Sequence, residues 1–182
     1  MNFALRILKL YFPDSLKKRM LTELFDLTAQ AFGVACPEIK SMSYGKTLKA
    51  YAVFTAGEAG RLSPNSPEWR AANERLYENA RSLGTKLNKT LRLSDPQDIL
   101  EMIRILYKML GIDFAGLADG EVVIRRCFFS RFYGASVCRL ISSLDEGIAA
   151  GLSDGGRLEF SGRITEGRDC CRGRFTLKGT GK

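Results

Sequence analysis

The side chains whose types could do chemistry crowd into the last third of the chain: Cys127, Cys138, Cys170 and Cys171, with the acids Asp145 and Glu166 among them. A thiol can attack or polarise an electron-poor carbon, and a carboxyl group can carry protons to and from the reacting atoms. The chain contains no histidine. Ser-His-Asp and Cys-His catalysis, histidine metal sites and histidine pH switches are therefore excluded as self-contained devices. Neither GxGxxG after a strand nor GxxxxGKS/T occurs, which removes the common phosphate-cradling loops.

Cys138 falls about one turn inside a helix predicted to start near Gly134. The positive end of the helix dipole and the adjacent Arg139 favour a thiolate there, so a lowered pKa and the fastest alkylation are expected of Cys138. Asp145 lies seven residues further on, nearly two turns, which places a carboxylate on the same helix face. Glu166, in a Glu-Gly turn, is the second acid. Cys127 sits on a predicted strand with Val123, Arg125 and Phe129 on its face, while Cys171 shares a face with Phe175 and Leu177 and turns toward the helices. Tyr133, at the strand-to-helix junction, can donate to a ligand. Arg125 and Arg126 are strand neighbours that face opposite ways, so one of them is expected to line the pocket and grip an anion with both prongs of its guanidinium. Each of these residues also has an ordinary structural use: free cysteine packs as a small apolar side chain, and an acid on a helix is commonly solvated.

Helices and strands must hold these groups in place. Leu16, Met20, Leu24, Leu27 and Ala31 recur at helical spacing, as do Trp69, Ala72, Leu76, Ala80, Leu83, Leu87 and Leu91. Ser66-Pro67-Glu68 is a helix start, and Ser94-Asp95-Pro96-Gln97 reads as a capping box opening a helix over Asp95 to Leu110. A further helix is predicted over Lys46 to Ala59, with a loop from Gly60 to Ser66. After Gly111 the period shortens to two: Glu121 to Phe129 reads as a strand, Gly134 to Gly151 as a helix, and two alternating runs joined by Thr165 to Asp169 as an antiparallel hairpin. The expectation is one α+β domain over residues 1–182, with a helical part at 1–111 and a strand-helix-hairpin part at 112–182.

A chain of 182 residues, 45% hydrophobic and 26% charged, is sized and composed for one folded core. No run approaches the ~20 apolar residues that span a bilayer, and five cysteines without a signal peptide read as thiols, so a reducing, cytoplasmic setting is expected. The net charge of +8 steers anions toward the surface. The spacing C-x10-C-x32-C of Cys127, Cys138 and Cys171 lacks the paired C-x2-C ligands of zinc ribbons, and no cofactor is expected.

Read together, Cys127-Phe128-Phe129-Ser130, Tyr133, Cys138, Asp145, Gly151-Leu152, Leu158-Glu159-Phe160, Arg163-Ile164, Glu166-Gly167 and Cys171-x3-Phe175 resemble the L-2-amino-thiazoline-4-carboxylic acid hydrolase family. The resemblance implies a helical N-terminal part joined to a small α/β unit, and an activity that opens a thiazoline ring. A more distant likeness, to 4-vinyl reductase-type ligand-binding domains, implies a small-molecule or thiolate-metal sensing module without turnover.

The function expected is thus hydrolase-like, on a cyclic C=N or amide-type bond, in a pocket between the sheet and the Gly134–Gly151 helix. Cys138 or Cys127 would attack or polarise the carbon, Asp145 or Glu166 would move protons, and Arg125 or Arg126, with Tyr133 and Cys171, would bind the substrate. The partners expected are an anionic small molecule and, through Phe3 to Phe12, either the rest of the domain or a second copy in a homodimer. Neither a membrane nor nucleic acid is expected.

Overall fold

The helices over Pro67–Leu91 and Pro96–Met109 begin where a side-chain oxygen and a proline together prepare the first turn. The computed structural model describes residues 3–116 and 119–178. Helices α1 (Phe3–Leu10), α2 (Asp14–Phe32), α3 (Tyr44–Gly60), α4 (Pro67–Leu91) and α5 (Pro96–Met109) precede the sheet, and α6 (Ala135–Leu152) is set into it. At the start of α4, Ser66 Oγ accepts from the amide of Trp69 at 3.1 Å, with Pro67 in the first turn. The expected capping box at Ser94 is not used. Asp95 is the cap instead, accepting from the amide of Gln97 at 2.8 Å, and an aspartate directly before a proline serves both signals at once.

Four strands, β1 (Ile112–Gly116), β2 (Glu121–Cys127), β3 (Arg157–Gly162) and β4 (Cys171–Thr176), form one antiparallel sheet in the order β1-β2-β4-β3. The fold is α+β. Sequence patterning missed β1, because an aspartate and two small residues in five are weak strand formers, and pairing with β2 is what extends them. It also carried β2 two residues too far: Phe128–Arg131 turns as a 3-10 helix and stacks Phe129 on Tyr133.

One irregularity decides where the candidate residues of β2 point. Asp113 pairs with Arg126 but Phe114 with Ile124, so Arg125 is an extra residue on β2. A bulge of this kind resets the alternation. Val122 and Ile124 are buried, Arg125 and Arg126 are both exposed, and Cys127 turns back against the core. The expectation that one arginine points inward, and that Cys127 shares the face of Arg125, is corrected by this bulge.

Helix α6 joins two apolar clusters. Val137, Leu140, Ile141 and Leu144 pack with α2, α3 and α4, whereas Ala149 and Leu152 pack with α5 and the sheet. In the first cluster, buried threonines anchor tyrosines. Thr55 Oγ1 donates to the Tyr51 carbonyl at 2.8 Å, so its lone pairs accept the Tyr133 hydroxyl at 2.5 Å. Thr55→Val keeps the volume and removes the acceptor. It should lower stability by about 1–3 kcal/mol in urea unfolding, the cost of an orphaned buried hydroxyl, and Thr55→Ser should recover most of that loss. At the other end, α1 buries Leu5 beside α5 and pairs Lys9 with Glu101 at 3.3 Å, as expected of a segment that packs on the domain. No helix among the described residues is long and apolar enough to cross a membrane.

Candidate functional site

The seam between the two clusters collects the polar groups. Cys138 stands in the first turn of α6, its amide donating to the Gly134 carbonyl at 3.0 Å. Asp145, further along α6, lies within electrostatic reach of Cys127 from β2, Cys138, and Cys171 from β4. The three thiols and this acid, distant in sequence, are therefore brought together. Protein surrounds the Asp145 carboxyl, yet the residue keeps part of its surface accessible. The residue is therefore at the edge of the packed core, with its carboxyl turned inward.

Burial disfavours the ionised form and pushes the Asp145 carboxyl up to about 7; the neighbouring Glu146 charge adds to this, while Tyr107 and Arg163 oppose it. An acid that titrates there can take and return a proton near neutral pH. The Tyr107 hydroxyl, on buried α5, is close enough to stabilise the Asp145 carboxylate but lies outside direct hydrogen-bond geometry to any side chain or backbone group. Thr165 Oγ1, facing Cys138 from the β3–β4 connection, is in the same state. Buried polar groups are nearly always paired, and here the nearest partners are Asp145 for Tyr107 and Cys138 for Thr165, both outside ideal hydrogen-bond geometry.

Arg163 supplies the positive charge. Its side chain is only 13% exposed, its Nε donates to Ser142 Oγ at 3.4 Å, and its guanidinium lies over the Phe160 ring at 5.5 Å. Sequence reading missed Arg163 as a site residue because alternation along the hairpin assigns it outward. The pairing irregularity between Phe160 and Gly162 and the end of β3 turn it inward. Tyr107 was missed because, by type and spacing, it is one more apolar residue of α5.

Cys138 occupies the expected position but not the expected state. A helix terminus contributes about 0.3–1 kcal/mol, less than one pKa unit, whereas burial can move a group by several. Burial wins: it raises the Cys138 thiol above its ordinary value, raises Cys171, and pushes Cys127 up to about 12. These sulfurs are thiols at neutral pH. Native Cys138 should accordingly alkylate with iodoacetamide at least ~10-fold more slowly than in the urea-unfolded chain at the same pH, read by mass spectrometry.

Of the other expected site residues, Glu166, 3.9 Å from Arg163, and Tyr133, within electrostatic reach of Cys127 and Cys138, lie at the margin of this region, and the two arginines lie apart. Glu166 accepts from Arg139 Nε at 2.8 Å at the surface, and that bond holds its carboxyl below the usual range, so it stays ionised. Tyr133 is committed to Thr55 in the core. Arg125 and Arg126 face outward, with Arg126 paired to Asp113 at 3.6 Å. Among the described residues, no group of three or more cysteine and acidic side chains is arranged so that it could hold a metal ion. No family model matches the chain, and no curated protein matches it.

Proposed function

We propose that a crevice around Asp145 binds a small cyclic molecule with a polarised C=N bond and hydrolyses it, as the resemblance to thiazoline-carboxylate hydrolases suggests. The observation that carries this reading is a buried carboxyl group pushed up to about 7 with the buried Tyr107 hydroxyl as its neighbouring donor. Ionised Asp145 takes a proton from water as the oxygen attacks the C=N carbon, and Tyr107 donates to the nitrogen, where electron density collects. Collapse of the adduct breaks the ring C–S bond, and the proton held by Asp145 passes to the departing sulfur. One water is consumed and one thiol appears. Protonated Cys127, Cys138 and Cys171 are walls of the crevice in this scheme, not nucleophiles, which departs from the role expected of them.

The test is release of free thiol from L-2-amino-thiazoline-4-carboxylic acid, followed with a chromogenic thiol reagent. Asp145→Asn should lower the rate by about 10²–10⁴ and Cys138→Ala by less than about tenfold. The all-protonated thiols favour a second reading, a binding module without turnover. Saturable binding of that compound with no thiol released would establish the second reading and overturn the first.

A further inference from the structure

We infer that the open hollow on the outer side of Cys127, framed by the end of α5 and the β2 bulge, binds a small phosphate-bearing molecule. The hollow measures about 720 Å³, within the ~300–1,000 Å³ range of small-molecule sites.

Its charge is what selects the ligand. Arg104 is held by Glu101, and Arg126 by Asp113 at 3.6 Å. Lys108, Arg125 and Arg131 also line the hollow, all exposed and without an ion pair among the described residues, and Asp169 is the one lining acid in the same condition. Three free cations against one free carboxylate leave at least two positive charges unbalanced, and Arg104 adds to the excess because Glu101 is shared with Lys9. A phosphate monoester, a dianion with three acceptor oxygens, neutralises twice as much of this as a monocarboxylate and matches the guanidinium fork. Ile112 and Phe128 are half-buried in the same hollow and offer an apolar surface to the organic part of the ligand.

The backbone is arranged to produce this grouping. Regular alternation would send Arg125 and Arg126 to opposite faces of the sheet; the extra residue at Arg125 places both on the outer face. Bulges commonly re-aim a side chain in this manner beside binding sites. The hollow is not lined by Asp145; Cys127 and Ile164, whose amide donates to Cys171 Sγ at 3.4 Å, connect it to the Asp145 region.

Phenyl phosphate is the probe, titrated calorimetrically into the full chain at ~0.1 M salt, where exposed charges more than about 10 Å apart are screened. One molecule should bind per chain, and benzoate should bind at least about tenfold more weakly. Arg125→Ala and Arg131→Ala should each weaken phenyl phosphate about tenfold, and Arg125→Lys, which keeps the charge and loses the fork, by less. The side chains are exposed, so the urea midpoints of all three variants should match the parent. Asp145→Asn should leave this affinity unchanged, which separates failure here from failure of the hydrolytic reading. Any of three results would overturn the inference: no saturable binding, equal affinity in Arg125→Ala and Arg125→Lys, or benzoate binding as tightly. Retention of a short oligothymidylate with steep salt dependence, without phenyl phosphate binding, would likewise overturn it and assign the patch to nucleic acid.

Discussion

Asp145→Asn should be more stable than the parent chain at about pH 8, and should lose most of the parent's fall in stability between about pH 4 and 7. The sign follows from where the proton binds. The folded carboxyl titrates at about 7 against an ordinary value of 3.8, so between those limits the folded state holds a proton that the unfolded chain has released. Stability is then fully present below the unfolded pKa, falls by up to ~1.4 kcal/mol per pH unit as pH rises, and levels off above the folded pKa. Across the window this amounts to roughly 4 kcal/mol as an upper bound, of which the asparagine should recover about 2–4 at pH 8 because its amide also needs partners. Glu146 is raised by burial too and is coupled to Asp145, so the asparagine also eases Glu146, and a smaller fall owed to Glu146 itself remains in the variant. Urea unfolding of the two chains across the window measures this. Parallel pH profiles would mean that Asp145 is not buried as described, and the proton-transfer role would go with it. A variant that gains stability while losing thiol release would show that the cost of burying this acid is retained for chemistry.

How much of this was legible in the sequence depends on whether regular periodicity holds. The apolar stripes of α2 and α4 and the Ser66 cap appear where helical spacing puts them, because a stripe that must face a core leaves little freedom. Alternation likewise placed Cys171 and Phe175 together on the buried face of β4. Alternation failed at the two pairing irregularities, where Arg125 is inserted and where β3 ends at Gly162. Those two positions send Arg125 and Arg126 out together, return Cys127 to the core, and bring Arg163 in. An extra residue in a strand has no compositional signature, so the misplaced site residues on the sheet trace to it. The state of Cys138 was misjudged for a different reason: the dipole is readable from a helix start, but burial is a property of the packed chain.

Packing between α4 and α6 carries the second large effect, and glycine substitution should reverse its usual sign there. In an open helix position, Gly→Ala gains about 0.5–1 kcal/mol through propensity. Gly57 in α3 meets that condition, with nothing within 4 Å of an added Cβ, so Gly57→Ala should stabilise the protein by that amount. At Gly151 the added Cβ would stand 2.1 Å from the Arg81 carbonyl oxygen and 2.7 Å from the Thr85 nitrogen, both backbone atoms that cannot swing aside. Gly151→Ala must therefore push α6 off α4, and should cost about 3 kcal/mol, at the upper end for overpacking. Gly147, two residues from Asp145, makes the same close approach to the Tyr77 carbonyl at 2.3 Å. Helix α6 is thus held against α4 along the stretch that carries the acid, and displacing it should let water reach the crevice. The folded Asp145 carboxyl should then titrate closer to its ordinary value, so Gly151→Ala should also flatten the fall in stability between pH 4 and 7. Chemical unfolding of both glycine variants decides the matter: a gain at Gly151 would contradict the close packing that holds Asp145 against α4, and a loss at Gly57 would contradict the open space around that glycine.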